Sequence, residues 1–273
     1  MGMRTATDVE VRMSRVKKRN ATAAGQATPV YERDSDCFHC AVRASALFCK
    51  LSTSALDQTL KRIRNGVIPA DTVIYRSGDV ADATFTVRNG LVKLINPRTP
   101  AGPRIVSLMG HGAAIGLESM DGRIYQHTAI TIRESNICRI PSEVLSELKG
   151  RSPELTEGLI CKWRDHAYSA ENVICTLCAG QLKERAMALL RHIIDVTRDR
   201  PEAVRLPRTA DMAEILGVSA ESISRCMADL KRQGLIRRVA PWTYRCDEAL
   251  IRPLTGSGNG NGNGLECETW QTL

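Results

Sequence analysis

The sequence predicts an α+β chain: an N-terminal β-roll, one long helix, then a C-terminal winged helix-turn-helix. Three observations carry this. Residues 66–141 alternate apolar and polar positions between frequent turn signals. Residues 153–180 repeat apolar side chains with a heptad period. Residues 209–230 read as two short helices joined at a glycine.

The totals set the bounds. A chain of 273 residues can bury two domain cores. A formal charge of +8 suits a polyanionic partner, although a basic soluble protein also fits it. Aromatic residues at 4% argue against a groove that stacks unpaired bases. Residues 1–20 hold Arg4, Arg12, Arg15, Lys17, Lys18 and Arg19 but no apolar run of signal-peptide length. No apolar segment reaches transmembrane length. A cytoplasmic protein without a membrane partner is expected. In that compartment ten cysteines bind metal or sense redox state more often than they form structural disulfides.

Taken in order, residues 1–33 read as a mobile basic arm and residues 34–50 as a cysteine-rich segment. Residues 51–150 form the β-roll. A short helix opens it near residues 54–64, capped by Ser52 or Thr53, with Leu56, Leu60 and Ile63 inward. Val73, Phe85, Val87, Leu94, Ile105, Val106, Ile130, Ile132 and Ile137 mark its strands. Asn89-Gly90, Gly110-His111-Gly112 and Asp121-Gly122 are among the turns that separate them.

Residues 151–180 hold the long helix. Ile160, Trp163, Ala167, Ala170, Ile174 and Leu177 recur at steps of 3, 4, 3, 4 and 3. Such a seam needs a second helix, so a homodimer is expected, with packing on the chain's own roll as the alternative. Residues 181–254 form the last domain. Its first helix carries Leu182, Ala186, Leu189, Leu190, Ile193 and Ile194. In the helix-turn-helix, Thr209 and Ser219 are N-cap residue types and Gly217 reverses the chain. Ala213, Leu216, Val218, Ile223 and Leu230 tie the two helices together. Glu221, Ser224 and Arg225 then share a face of the second helix, and these residue types read base edges. Residues 235–239 and 242–245, around Ala240-Pro241, form a two-stranded wing. Residues 255–273 are a Gly-Ser-Asn tail, read as disordered.

Over roughly residues 34–254 this order resembles the Crp/Fnr family of bacterial transcription regulators. Glu221-Ser222-Ile223-Ser224-Arg225 is similar to the Glu-x-x-Ser-Arg recognition signature of the Fnr branch. Cys138, in Ser-Asn-Ile-Cys-Arg-Ile-Pro, stands where Fnr-type sensors keep an internal cluster ligand. The resemblance implies a roll of the cyclic-nucleotide-binding type and a [4Fe–4S] cluster on Cys37, Cys40, Cys49 and Cys138. Eight residues separate Cys40 from Cys49, more than the family's sensors use. It also implies an oxygen-responsive regulator, an activator that works with RNA polymerase on palindromic promoter DNA with TTGAT half-sites. Arg225 would read guanine, Glu221 its partner cytosine and Ser224 the adjoining thymine. Arg208, Thr209, Lys231 and Arg232 would touch phosphates. Dimerisation would set two recognition helices about 34 Å apart. Ala170 stands where Fnr carries an acidic residue, so pairing should depend less on the cluster.

Other classes are weighed by their residues. A regulator without a cluster would respond through thiol oxidation. A haem or nitric oxide sensor would draw on His111, His127 or His166. Cyclic-nucleotide control is disfavoured, because Gly116-Leu117-Glu118 and His127-Thr128-Ala129 lack the arginine that pairs with phosphate. An enzyme is disfavoured too: there is no phosphate-cradling glycine loop, and no His and carboxylate spaced to serve a catalytic cysteine. Cys175 and Cys178 form a C-x2-C pair, read as small apolar helix residues ahead of a metal or redox pair. Cys161, Cys226 and Cys246 are read as structural, Cys267 as a tail thiol, and His39 as a weaker ligand candidate than Cys49.

Overall fold

The computed structural model describes residues 29–34, 37, 39–49, 51, 61–100 and 102–251. The basic arm before residue 29, the helix expected near 54–64 over most of its length, and the tail with Cys267 lie outside the described residues.

The roll is a seven-stranded antiparallel sheet ordered β1-β2-β7-β4-β5, with β3 on β7 and β6 on β4. The strands are β1 (Arg33–Asp34), β2 (Arg64–Ile68), β3 (Val73–Tyr75), β4 (Ala83–Asn96), β5 (Arg104–Met109), β6 (Ala114–Ile115) and β7 (Thr128–Pro141). β4 and β7 form its spine, paired from Ala83–Pro141 to Ile95–Thr128. Asn89-Gly90, expected as a turn between strands, instead lies inside β4 as a bulge. The pairing slips there, and Gly90 takes a φ of 112°. A side chain at Gly90 would run into Ser135, whose Oγ accepts a hydrogen bond from the Leu91 amide at 3.2 Å. A bulge bends a strand, which lets one long strand serve both ends of the roll.

Phe85, Val87, Leu94, Ile105 and Ile137 are buried as their alternation predicts, whereas Val106 is 40% exposed. Tyr75 stacks on Tyr125 at 3.9 Å and on Phe85 at 5.6 Å, which fills the roll interior with rings.

Helices follow Pro141. α1 spans Ser142–Lys149 and α2 spans Pro153–Leu177, with proline at the first helical position of α2, where its missing N–H costs nothing. α3 spans Leu182–Thr197 and opens with a capping box between Gln181 and Glu184. α4 (Thr209–Leu216) and α5 (Ala220–Arg232) form the helix-turn-helix, and α6 (Glu248–Ile251) closes the described chain. β8 (Val204–Arg205), β10 (Thr243–Cys246) and β9 (Ile236–Ala240) make a three-stranded sheet. The expected two-stranded wing thus gains a strand from the segment before α4, which the sequence pattern around Val204 did not signal.

The last domain is docked on the roll. Leu91, Ile105 and Leu108 of the roll belong to one apolar cluster with Leu189, Ile193, Leu216 and Ile223. Arg133 on β7 makes a two-pronged ion pair with Asp199 at 2.7 and 2.9 Å. Glu214 accepts from the Ile105 amide at 3.1 Å, and Lys93 pairs with Asp211. Gly110 allows the closest approach: a Cβ there would fall 2.0 Å from the Val196 carbonyl oxygen.

Candidate nucleic-acid interface and cysteine cavity

The recognition helix is built as the sequence predicts at its start. Ser219 caps α5, its Oγ accepting from the Ser222 amide at 3.1 Å. Gly217 takes the left-handed conformation, φ 63°, that ends α4. Ile223 and Leu230 are buried with Ala213 and Leu216, and Val218 is half-buried. Thr209 is not the cap of α4: Arg208 takes that position without a side-chain cap, and Thr209 is the first helical residue.

Glu221, Ser224 and Arg225 are all exposed. Arg225 Nη1 lies 3.1 Å from Glu221 Oε1, one helical turn away. The guanidinium and carboxylate are thereby held side by side on the exposed face of α5. Of the expected phosphate contacts, Lys231 is exposed with its Nζ 5.2 Å from the centre of the Tyr244 ring. Arg232 is exposed and paired with Asp229. Arg208 is exposed and paired with Asp71 of the roll at 2.7 Å, and Thr209 is half-buried.

The wing adds cations that sequence reasoning passed over. Arg237, Arg238 and Arg245 are exposed, and Arg237 stands directly opposite Arg245 across β9 and β10. Like charges facing across a ladder repel, so this pair favours an anion between them. Arg237-Arg238 and Arg245, on the two strands of the expected wing, were the available signal.

The seam of α2 divides. Ile160 is 63%, Trp163 58% and Ile174 63% exposed, and Ala167 and Ala170 are exposed as well. They do not pack on the chain's own roll. Leu177 departs from the expected seam: it is buried within the cluster that holds α3. The start of α2 is anchored too, through Leu155 and Leu159.

The cysteine segment meets the roll under α2. Cys37, Cys40 and Cys138 line one cavity with Ile63, Phe48, Ile140, Arg43 and Arg88. Cys138 is buried on β7, in register with Asn65 on β2 and Thr86 on β4. Burial pushes the Cys37 thiol up to about 12; neighbouring Cys138 and Cys40 add to this, while Arg88 and Arg43 oppose it. Cys49 is half-buried and does not line this cavity, and His39 is exposed. Among the described residues no three His, Cys, Asp or Glu side chains are gathered closely enough to hold a metal ion. Thiolates are the donors an iron–sulfur cluster takes; Cys37, Cys40 and Cys138 share the lining of this cavity without being gathered into a metal-holding group.

The other cysteines and histidines resolve as follows. Cys226 and Cys246 are buried, as expected of structural residues, and Cys161 is half-buried. Cys175 and Cys178 are both exposed, against the expectation that they pack as small apolar residues. His166 Nε2 lies 3.0 Å from the Ala114 carbonyl oxygen, and His111 and His127 are half-buried. Glu118 is a local structural residue whose Oε1 accepts from the Gln126 amide at 3.1 Å. No helix among the described residues is long and apolar enough to cross a membrane.

Comparison with known proteins bears on both sites. Residues 67–152 match the cyclic nucleotide-binding domain, and residues 184–248 match the Crp-like helix-turn-helix domain. Electron transport regulator A of Shewanella oneidensis is 25% identical over 88% of this chain and 96% of its own length. The fumarate and nitrate reduction regulatory protein of Vibrio cholerae is 23% identical over 81% of this chain and 90% of its own. The structure of FixK2 from Bradyrhizobium japonicum has the same fold, with a TM-score of 0.61 over 69% of this chain and 95% of its own, at 20% identity. Crp/Fnr regulators bind DNA as dimers. A roll of the cyclic-nucleotide-binding type, docked on a Crp-like helix-turn-helix, places this chain in the Crp/Fnr family of DNA-binding transcription regulators.

Proposed function

We propose that this protein is an oxygen-responsive regulator that binds TTGAT-type palindromes as a homodimer while Cys37, Cys40, Cys49 and Cys138 hold a [4Fe–4S] cluster. The observation that carries the sensory half is the single cavity shared by Cys37, Cys40 and Cys138. When bound, the cluster supplies iron and sulfide that oxygen or nitric oxide can attack. The chain's own residues provide the rest. Coordination requires thiolates, and Arg43 and Arg88 beside the cavity favour that form of Cys37. Cys138 sits on the sheet spine, and Cys49 has to turn inward from the end of the cysteine segment. Leu47 and Phe48, next to Cys49, share an apolar cluster with Leu155 and Leu159 of α2. Ordering that segment therefore bears directly on the helix whose outer face awaits a partner.

At the DNA, Arg225 meets guanine, Glu221 its cytosine and Ser224 the adjoining thymine, with Lys231 and Arg232 on phosphates. The exposed wing arginines join them, and Arg208 and Thr209 do so once Asp71 is exchanged for phosphate. Activation through RNA polymerase in the cytoplasm, with residual pairing in air because Ala170 carries no charge, belongs to the same reading. A regulator without a cluster, whose cysteines react as thiols, is favoured by the position of Cys49 outside the cavity.

One experiment separates the two. The protein is purified without oxygen, and its absorption, iron and sulfide are measured before and after air is admitted. A shoulder near ~400 nm with about four irons per chain, bleaching in air, supports the cluster. An iron-free protein that still binds TTGAT duplexes supports the thiol regulator.

A further inference from the structure

We propose that Cys175 and Cys178 are a thiol–disulfide switch at the joint between α2 and the DNA-binding domain, taking low-molecular-weight disulfides as its substrate class. Both thiols are exposed, and neither is in a disulfide. Cys175 lies in the last turn of α2, and Cys178 caps it at φ −98° and ψ −16°, close to helical geometry. Only Ala179, Gly180 and Gln181 separate this cap from the start of α3 at Leu182.

Helical residues three apart have Cα atoms about 5 Å from each other, within the range a disulfide spans. Their Cβ atoms are about 5–6 Å apart, whereas a disulfide holds them near 3.5–4.5 Å. Closing the bond therefore pulls the last turn of α2 together by about 1 Å or more. That turn is wired to the reading head. Arg185 Nε donates to the Leu177 carbonyl oxygen at 2.6 Å, and its Nη2 donates to the Leu216 carbonyl oxygen at the end of α4. The Leu177 side chain is buried with Leu216 and Ile223 of the helix-turn-helix in the same apolar cluster. A shift at Leu177 thus reaches the turn that sets α5.

The chemistry balances with a small disulfide RSSR as oxidant. One cysteine thiolate attacks a sulfur of RSSR, forms a mixed disulfide and expels RS⁻. The second cysteine attacks the mixed disulfide at its protein sulfur, closes the Cys175–Cys178 bond and expels the other RS⁻. Two electrons pass from the cysteines to RSSR, and the two cysteine protons end on two RSH. A reducing thiol reverses both steps.

The test uses the full chain, equilibrated without oxygen in buffers of oxidised and reduced glutathione. After blocking of remaining thiols, the tryptic peptide from Asp165 to Lys183 is weighed. DNA affinity is measured in parallel by anisotropy, on a TTGAT palindrome and on an unrelated duplex, so that failure of the TTGAT reading shows separately. The expected result is a peptide lighter by two hydrogens and DNA affinity about fivefold weaker or more, restored by dithiothreitol. C175S and C178S, which keep every other cysteine, should hold the reduced affinity throughout. A peptide that stays a dithiol or stops at the mixed disulfide overturns the proposal, and so does a closed disulfide with unchanged affinity on both duplexes.

Discussion

Replacing Ile174 by Ala should weaken pairing of two chains while leaving the fold of each intact. Ile174 is 63% exposed on the outer face of α2, the same face that carries Trp163 and Ile160 further up the helix. Burying a whole isoleucine side chain stabilises by about 1.5–3 kcal/mol, so the part still to be covered contributes about 1–2 kcal/mol. A symmetric dimer contains the residue twice, which gives about 2–4 kcal/mol, or about 30- to 1,000-fold in dissociation constant. Sedimentation velocity over a concentration series, on protein kept anaerobic, reads this directly. The urea midpoint of the monomer should move by less than about 0.5 kcal/mol in stability. Leu177→Ala is the contrast: that side chain is 3% exposed, and its loss should cost about 2–5 kcal/mol of folding stability. An Ile174→Ala protein that dimerises as tightly as the parent would refute the assignment of this face to a second copy.

Arg225→Ala should cost about 1–3 kcal/mol of DNA affinity and relax preference at one base pair, whereas Lys231→Ala should weaken all sequences alike and flatten the salt dependence; anisotropy on a panel of single-base variants distinguishes them. Asp199→Ala leaves the Arg133 guanidinium, its side chain 9% exposed, without its carboxylate, and should destabilise the protein by about 3–5 kcal/mol in urea unfolding. Asp71→Asn releases Arg208 from an exposed pair, so DNA binding should tighten by no more than about fivefold and depend more steeply on salt. Burial holds His192 below its usual pKa, so the unfolded chain binds its proton more readily. Stability is then present above the unfolded value of about 6.5 and falls as pH drops through it toward the folded value. His192→Phe should flatten urea midpoints between about pH 5 and 7; an unchanged profile would remove His192 as a cause.

Much of this molecule is legible in its residues because the evidence is local. The left-handed Gly217, the Ser219 cap and the exposed row of Glu221, Ser224 and Arg225 depend on neighbours within a turn or two, where capping and helical spacing act. The heptad of α2 was readable for the same reason, and so were the apolar faces of the roll. What failed was set by distant parts of the chain. Asn89-Gly90 has the local chemistry of a turn, yet β7 runs alongside and draws it into one bulged strand. Leu177 keeps the seam period, but the docked last domain buries it. The pairing of Arg208 with Asp71, 137 residues earlier in the chain, was not readable either. Cys175 and Cys178 are exposed because the docked last domain takes Leu177, on the other side of the same turn, into its core and leaves them outside. Sequence by itself determined the order of roll, long helix and helix-turn-helix, since periodicity and capping are short-range, and the resemblance of its motifs pointed to the family. Only the tertiary structure decided which cysteines meet Cys138 and which charges are already paired, because burial and ion pairing depend on what long-range packing brings together.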